Sequence, residues 1–280
     1  MMKQDSAKLY LELLKKTLSF SLWPEPPIPL GVFNETRGPL KRAAVFMLSR
    51  VLATRDIVPM KRRNITDHQR KNGQFWPLYA DTMIGMKRLD QLQTAVETVL
   101  SEGVEGDFIE TGVWRGGACI FMRAALAAYG DSDRRVFVAD SFEGLPEPDA
   151  QRYPADRDSM FPAERYLAVS REDVERNFAK YGILDERVVF LQGWFKDTLP
   201  SAPIDKLAIL RLDGDMYEST LDALGNLYPK LSPGGYCIID DFFLDPCRLA
   251  VEEYRSAHGI EAEIRIIDTC SAYWRKPRQT

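Results

Sequence analysis

Cysteine and histidine are scarce in this chain of 280 residues. The four cysteines, Cys119, Cys237, Cys247 and Cys270, show no CxxC spacing and sit in apolar or mixed surroundings. That excludes a disulfide framework and a zinc site, and predicts reduced thiols in the cytoplasm. The two histidines, His68 and His258, lie in no recognised motif, and His258, just before Gly259, reads as a helix-end residue. No apolar run approaches the ~20 residues a membrane span needs. The first helix-like stretch carries Lys15 and Lys16 where a signal peptide would be apolar, so secretion is not expected. A basic excess is also missing: the net charge is -4 and the pI is near 5.5, which argues against a nucleic-acid partner. Repeats and low-complexity tracts are absent. So is GxGxxG, which speaks against a dinucleotide pyrophosphate.

What is present supports a sizeable core, at 45% hydrophobic residues. The spacing predicts a helix from Ser6 to Phe20, capped by Ser6, with Leu9, Leu13, Leu14 and Leu18 on one face. "WPEPPIPLG" reads as an extended linker, and "LKRAAVFMLSRVLATRD" as a second amphipathic helix. The segment from Lys41 to Lys71 holds nine Lys or Arg against Asp56 and Asp67. It reads first as a solvated cap, with a membrane-surface helix or an acidic partner as alternatives. Neither N-terminal helix has an obvious place on a sheet, which points to a homodimer or larger assembly. We divide the chain at residues 1–86, a helical cap, lid and oligomerisation segment, and 87–280, the main domain.

From Lys87 onward helices and strands alternate. "DFIETG", "RRVFVADSF", "ERVVFLQGW", "DKLAILRLDGD" and "GGYCIIDDF" are strands joined by amphipathic helices, and "EAEIRIID" with "SAYWRK" form a closing hairpin. Unbroken apolar strands between helices predict an α/β fold, with a mostly parallel seven-stranded sheet, an antiparallel terminal hairpin and helices on both faces.

Acids collect at one edge of that sheet. Glu110, Asp140, Asp213 and the pair Asp240 and Asp241 all fall at carboxyl ends of strands, where open α/β sheets bind ligands. Helix capping explains one or two such acids but not doubled acids on neighbouring strands. Gly112, Gly116 and Gly117 in "ETGVWRGGA" allow close backbone approach before a helix start. Asp140 is placed for a ribose diol, and Gln192 and Gly193 for an adenine ring. Together these features fit S-adenosylmethionine.

The strings "DFIETGVWRGGACIFMRA", "VADSFEGLP", "LQGWFKDTLP", "LRLDGDMYEST", "LSPGGYCIIDDF" and "AYWR" resemble the macrocin-type sugar O-methyltransferases of antibiotic biosynthesis. The resemblance runs from "ADTMIGMKRLDQL" near Ala80 to Trp274, with a shorter match at "LYLELLKKTL". It implies a class I methyltransferase using S-adenosylmethionine and magnesium, and a small-molecule glycoside as acceptor. Within the family it leans toward the noviose 4-hydroxyl of an aminocoumarin. It implies that Thr82 and Met83 pass over the methionine end of the cofactor, with Glu110 and Gly112 beneath. Asp140 and Ser141 would hold the ribose, and Gln192, Gly193 and Trp194 the adenine side. Arg115, Gly116 and Asp213 complete the cofactor set. Magnesium would be held by Asp213, Asp240 and Asp241, leaving Asp215 as general base. The insert "EPDAQRYPADRDSMFPAERYLAV" lacks the histidine that some macrolide-acting relatives carry there. A phenol or catechol O-methyltransferase, a nicotinamide-dependent oxidoreductase and a non-catalytic binding module remain as rival readings.

Overall fold

The computed structural model describes residues 2–30, 32 and 38–278. Helix α1 (Met2–Leu18) runs to strand β1 (Ile28–Pro29), which pairs antiparallel with β2 (Met60–Lys61) beyond helix α2 (Pro39–Ala53). Gly31, the last residue of the expected linker, lies outside the described residues. A short helix α3 (Asp67–Asn72) follows, then α4 (Met86–Ser101), β3 (Asp107–Thr111), α5 (Gly117–Tyr129) and β4 (Val136–Asp140). The chain continues through α6 (Arg171–Lys180), β5 (Val188–Gln192), α7 (Phe195–Thr198), β6 (Leu207–Leu212), α8 (Tyr217–Leu227) and β7 (Leu231–Ile239). It ends with α9 (Asp245–Ala257), β8 (Arg265–Ile266) and β9 (Ala272–Arg275).

The main sheet has the order β5-β4-β3-β6-β7-β9-β8. Strands β3 to β7 pair in parallel, and β9 runs antiparallel to both β7 and β8. This is the doubly wound sheet that the alternation predicts. The central strands are apolar because helices cover both of their faces. One core cluster joins Phe108, Val138 and Ile209 to α4 and α5, and the other joins Ile109, Leu210 and Ile239 to α8 and α9.

The N-terminal region departs from expectation in three ways. Helix α1 starts at Met2, so Ser6 lies within it rather than capping it. Its buried face is Leu11, Leu14 and Leu18, packed in the core beside α4 and α5, while Leu9 and Leu13 face outward. The helix therefore has a place on the main domain, fastened further by Lys15, which is buried and paired with Asp90 of α4. Inside the basic segment the sequence reading missed α3. Its capping box is closed by Thr66 and Gln69, and it ends at a left-handed Gly73. Helix α2, by contrast, buries none of its residues and exposes Leu40, Phe46, Met47, Leu48 and Val51.

Candidate active site

The strand ends assemble a cavity at the carboxyl edge of the sheet, where β3, β4 and β6 meet α7 and α8. It opens to solvent, and its space, counted with the part open to solvent, is about 830 Å³. Tight turns bring its walls together. Gly112 has φ +83°, and a Cβ there would sit 1.6 Å from the Asp213 carbonyl oxygen, so only glycine allows the turn after β3 to lie against the residue after β6.

Six residues expected to bind the cofactor line this cavity: Met83, Gly112, Asp140, Ser141, Trp194 and Asp213. The Asp140 carboxylate is fixed by backbone N–H donors, Val113 on one oxygen and Phe142 on the other, both at 2.7 Å. Burial raises its pKa and these donors oppose the rise. The Trp114 backbone N–H and the Ser141 hydroxyl (3.4 Å) add to these donors. Trp114 and Phe195 add aromatic wall that the sequence reading did not single out, although both stand inside strings it quoted.

The remaining expected cofactor residues lie outside the lining. Arg115 turns away and donates to the carbonyls of Leu78 (2.9 Å) and Ala80 (2.7 Å), with its guanidinium over the Trp114 ring. It fastens the segment that carries Met83. Thr82 packs on the start of α5, where a Cβ on Gly117 would meet its own Cβ at 2.5 Å. Gly116 takes the left-handed turn that opens α5. Gln192 ends β5 beside Asp140, and the Gly193 N–H donates to the Asp140 carbonyl.

Glu110 lies beneath the cavity in a buried ion network. Arg211, wholly enclosed within β6, donates to Glu110, to Asp240 and to Asp213 (2.9 Å). Arg88 of α4 donates to Asp240 (2.5 Å), to Asp268 (3.0 Å) and to the Asn72 carbonyl (3.2 Å). Burial pushes Glu110 up to about 7 against the pull of Arg211. Burial alone would raise Asp240 as well, but Arg211 and Arg88 hold its carboxyl below the usual range. The sequence signal for this network was a lone arginine inside an otherwise apolar strand, "LAILRL", since a buried charge must be paired.

That network includes Asp240 and Asp213 of the expected metal set. Asp240, expected as a magnesium ligand, is occupied by Arg88, Arg211 and the Ser271 hydroxyl (3.1 Å). The carboxylates that the fold brings together are Asp213, Asp215 and Asp241, with one oxygen of each within 4.8 Å of the others. Burial and mutual repulsion raise Asp213 to about 6 and Asp215 to about 8, and lift Asp241 well above the carboxylate range. Asp215 stands at φ +56°, its N–H donating to Asp241 (3.2 Å). Helix capping does not explain it, because the N–H groups of Tyr217 and Glu218 at the start of α8 are taken by Asp156.

The residues present fit both groups that the fold implies. A cavity with aromatic walls, a fixed carboxylate and close glycine backbone suits a nucleoside sulfonium. Three half-buried carboxylates that repel one another offer only hard oxygen donors, which suits magnesium.

Comparison with known proteins gives the family. The family model described as Macrocin-O-methyltransferase (TylF) matches residues 7–276. The chain is 48% identical to the 8-demethyl-8-(2,3-dimethoxy-alpha-L-rhamnosyl)-tetracenomycin-C 4'-O-methyltransferase of Streptomyces olivaceus, covering 98% of this chain and 95% of that one. It is 44% identical to the demethyldecarbamoylnovobiocin O-methyltransferase of Streptomyces niveus, with the same coverage. The solved structure of the O-methyltransferase NovP superposes with a TM-score of 0.83 at 44% identity, over 97% of this chain and all of that one. A class I methyltransferase sheet and a family match over nearly the whole chain lead to one conclusion: the chain is an O-methyltransferase of the macrocin O-methyltransferase family.

Proposed function

We propose that the chain transfers the methyl group of S-adenosylmethionine to a hydroxyl of a deoxysugar on an antibiotic glycoside, with magnesium at the acidic cluster. The observation that carries this reading is the placing of Asp213 and Asp215 in the wall of the same cavity as Met83 and Asp140. Acid cluster and cofactor pocket thus share one space. The rhamnosyl 4'-O position named for the Streptomyces olivaceus relative supports a sugar hydroxyl. The noviose 4-hydroxyl of an aminocoumarin precursor and the 4-hydroxyl of a rhamnosyl polyketide are the first to test.

Methyl transfer is an in-line displacement: the new C–O bond forms as the C–S bond breaks, and the hydroxyl proton must leave. The sulfonium is already a good leaving group, so the protein's task is positioning and proton removal. Asp140 and Ser141 hold the ribose, Trp194 flanks the adenine, and Met83 covers the methionine end. Asp213 and Asp241 would hold magnesium, with Asp215 beside them. When bound, the cation acidifies the sugar hydroxyl as a Lewis acid. Asp215 accepts the proton, since it faces the cavity and the helix behind it is capped by another residue. Asp240 acts from behind, orienting Arg211. The apolar residues that α2 exposes support a homodimer or larger assembly, and four free cysteines support a reducing cytoplasmic setting. Among the described residues no helix is long and apolar enough to cross a membrane.

The test incubates the protein with S-adenosylmethionine, magnesium and a panel of deoxysugar glycosides, phenols and catechols, reading products by mass. Methylation confined to the phenols and catechols would overturn the sugar reading.

A further inference from the structure

Helix α8 begins two residues after Asp215, and aspartate near a helix start ordinarily serves as its cap. Here the capping carboxylate comes from about 60 residues away. Asp156, in the short 3-10 turn Pro154–Asp156 of the insert, accepts from the N–H of Tyr217 through one oxygen (2.7 Å). Its other oxygen accepts from the N–H of Glu218 (3.0 Å). The residue is 1% exposed, and no side chain at the N-cap position itself provides the acceptor. The Tyr153 ring packs 5.9 Å from that of Tyr217, so the insert is seated on the head of the helix by more than one contact.

We propose that Asp156 is a positioning residue for methyl transfer: by capping α8 from the insert, it releases the Asp215 carboxylate to the cavity. The amides at a helix start need an acceptor. If Asp156 is removed, the nearest carboxylate preceding the helix is Asp215, whose distance of two residues from Tyr217 is the usual reach of an aspartate to a following N–H. Aspartate also tolerates the left-handed backbone that Asp215 adopts. Turning to the helix would draw it away from Asp213 and Asp241, with which it now clusters. The insert would then do more than line the cavity through Leu167, because its docking would decide which of two tasks Asp215 performs. The consequence for catalysis rests on the proposed role of Asp215. The exchange of caps does not.

The test is a double-mutant cycle on the full chain: wild type, Asp156→Ala, Asp215→Ala and the double variant, compared by thermal midpoint. If Asp215 substitutes for the lost cap, Asp156→Ala lowers the midpoint by roughly 2–4 °C more in the Asp215→Ala background than in wild type. Equal losses in both backgrounds overturn the exchange. In wild-type background, Asp156→Ala should lower kcat at least about tenfold while the cofactor KM stays within twofold. Asp156→Asn keeps one of the two acceptor oxygens and should restore part of kcat relative to Asp156→Ala. Coupled midpoints with unchanged kcat would overturn the positioning role and the reading of Asp215 as a reacting group, leaving the cap exchange standing. Asp156→Ser keeps a shorter acceptor and supplies the same cycle at smaller amplitude if the alanine variant does not fold.

Discussion

Arg88 Nη1 lies 2.5 Å from Asp240 Oδ2, tying the first turn of α4 to the end of β7 beneath the cavity. Both side chains are buried, and Arg211 grips the other oxygen of the same carboxylate. Both oxygens of Asp240 are thereby paired with arginine.

Asp240→Asn should therefore destabilise the fold, because it leaves Arg88 and Arg211 each short of a buried counter-charge. Breaking a buried pair from one side costs about 3–5 kcal/mol, readable by chemical denaturation in the presence of chelator. Undiminished stability with a loss of magnesium affinity would return Asp240 to the ligand set.

Chelation should stop turnover while leaving S-adenosylmethionine binding in place. Asp140, Trp194 and Met83, the residues proposed to hold the cofactor, are not members of the cluster of Asp213, Asp215 and Asp241. Excess chelator followed by added magnesium, with kcat and calorimetric cofactor affinity measured at each stage, checks both halves. Full turnover in chelator contradicts a metal role.

Asp140→Ala should weaken the cofactor roughly ten- to a hundredfold, as expected for losing hydrogen bonds to a charged acceptor. The same change also frees the N–H groups of Val113 and Phe142, so part of the loss will register as lower stability of the protein alone. Cofactor titration at a temperature well below the midpoint separates the two effects. An unaltered dissociation constant would remove Asp140 from the ribose site.

Asp215→Asn should reduce kcat by ~10²–10⁴, with little change in cofactor affinity. Because Asp156 already caps α8, the amide has no helix to rescue and stability should not fall. Single-turnover rates settle the point: a wild-type rate means that the proton leaves by another route.

Gly112→Ala should be poorly tolerated. The new methyl would stand 1.6 Å from the Asp213 carbonyl, at a φ that alanine disfavours, and overpacking of this kind costs at least ~1–3 kcal/mol. Expression yield and thermal midpoint read the effect. A midpoint equal to wild type would mean that the turns after β3 and β6 can separate freely.

Much of this protein was legible in local pattern. Alternating apolar strands and amphipathic helices dictated the parallel sheet, since strands covered on both faces must be apolar throughout. The place of each acid at a strand's carboxyl end points to the cavity from sequence alone, because topology sends every such end to one edge. The terminal hairpin followed from two short strands close in sequence.

Other features depended on partners far apart in the chain. The period of α1 was evident, but which leucines face inward depended on the position of α5, and the buried face proved to be Leu11, Leu14 and Leu18. Doubled acids at β6 and β7 read alike in sequence. Only the fold assigned Asp240 to the arginines and Asp241 to the cluster with Asp213 and Asp215. The reason is electrostatic: carboxylates so close cannot all stay charged without counter-ions, and which of them receives Arg88 is set by the packing of α4, which of them receives Arg211 by the place of β6 between β3 and β7. Asp156 was invisible for the same reason. A cap from the neighbouring sequence is readable as a motif, whereas one supplied from about 60 residues away exists only once the insert has folded back onto the helix it caps.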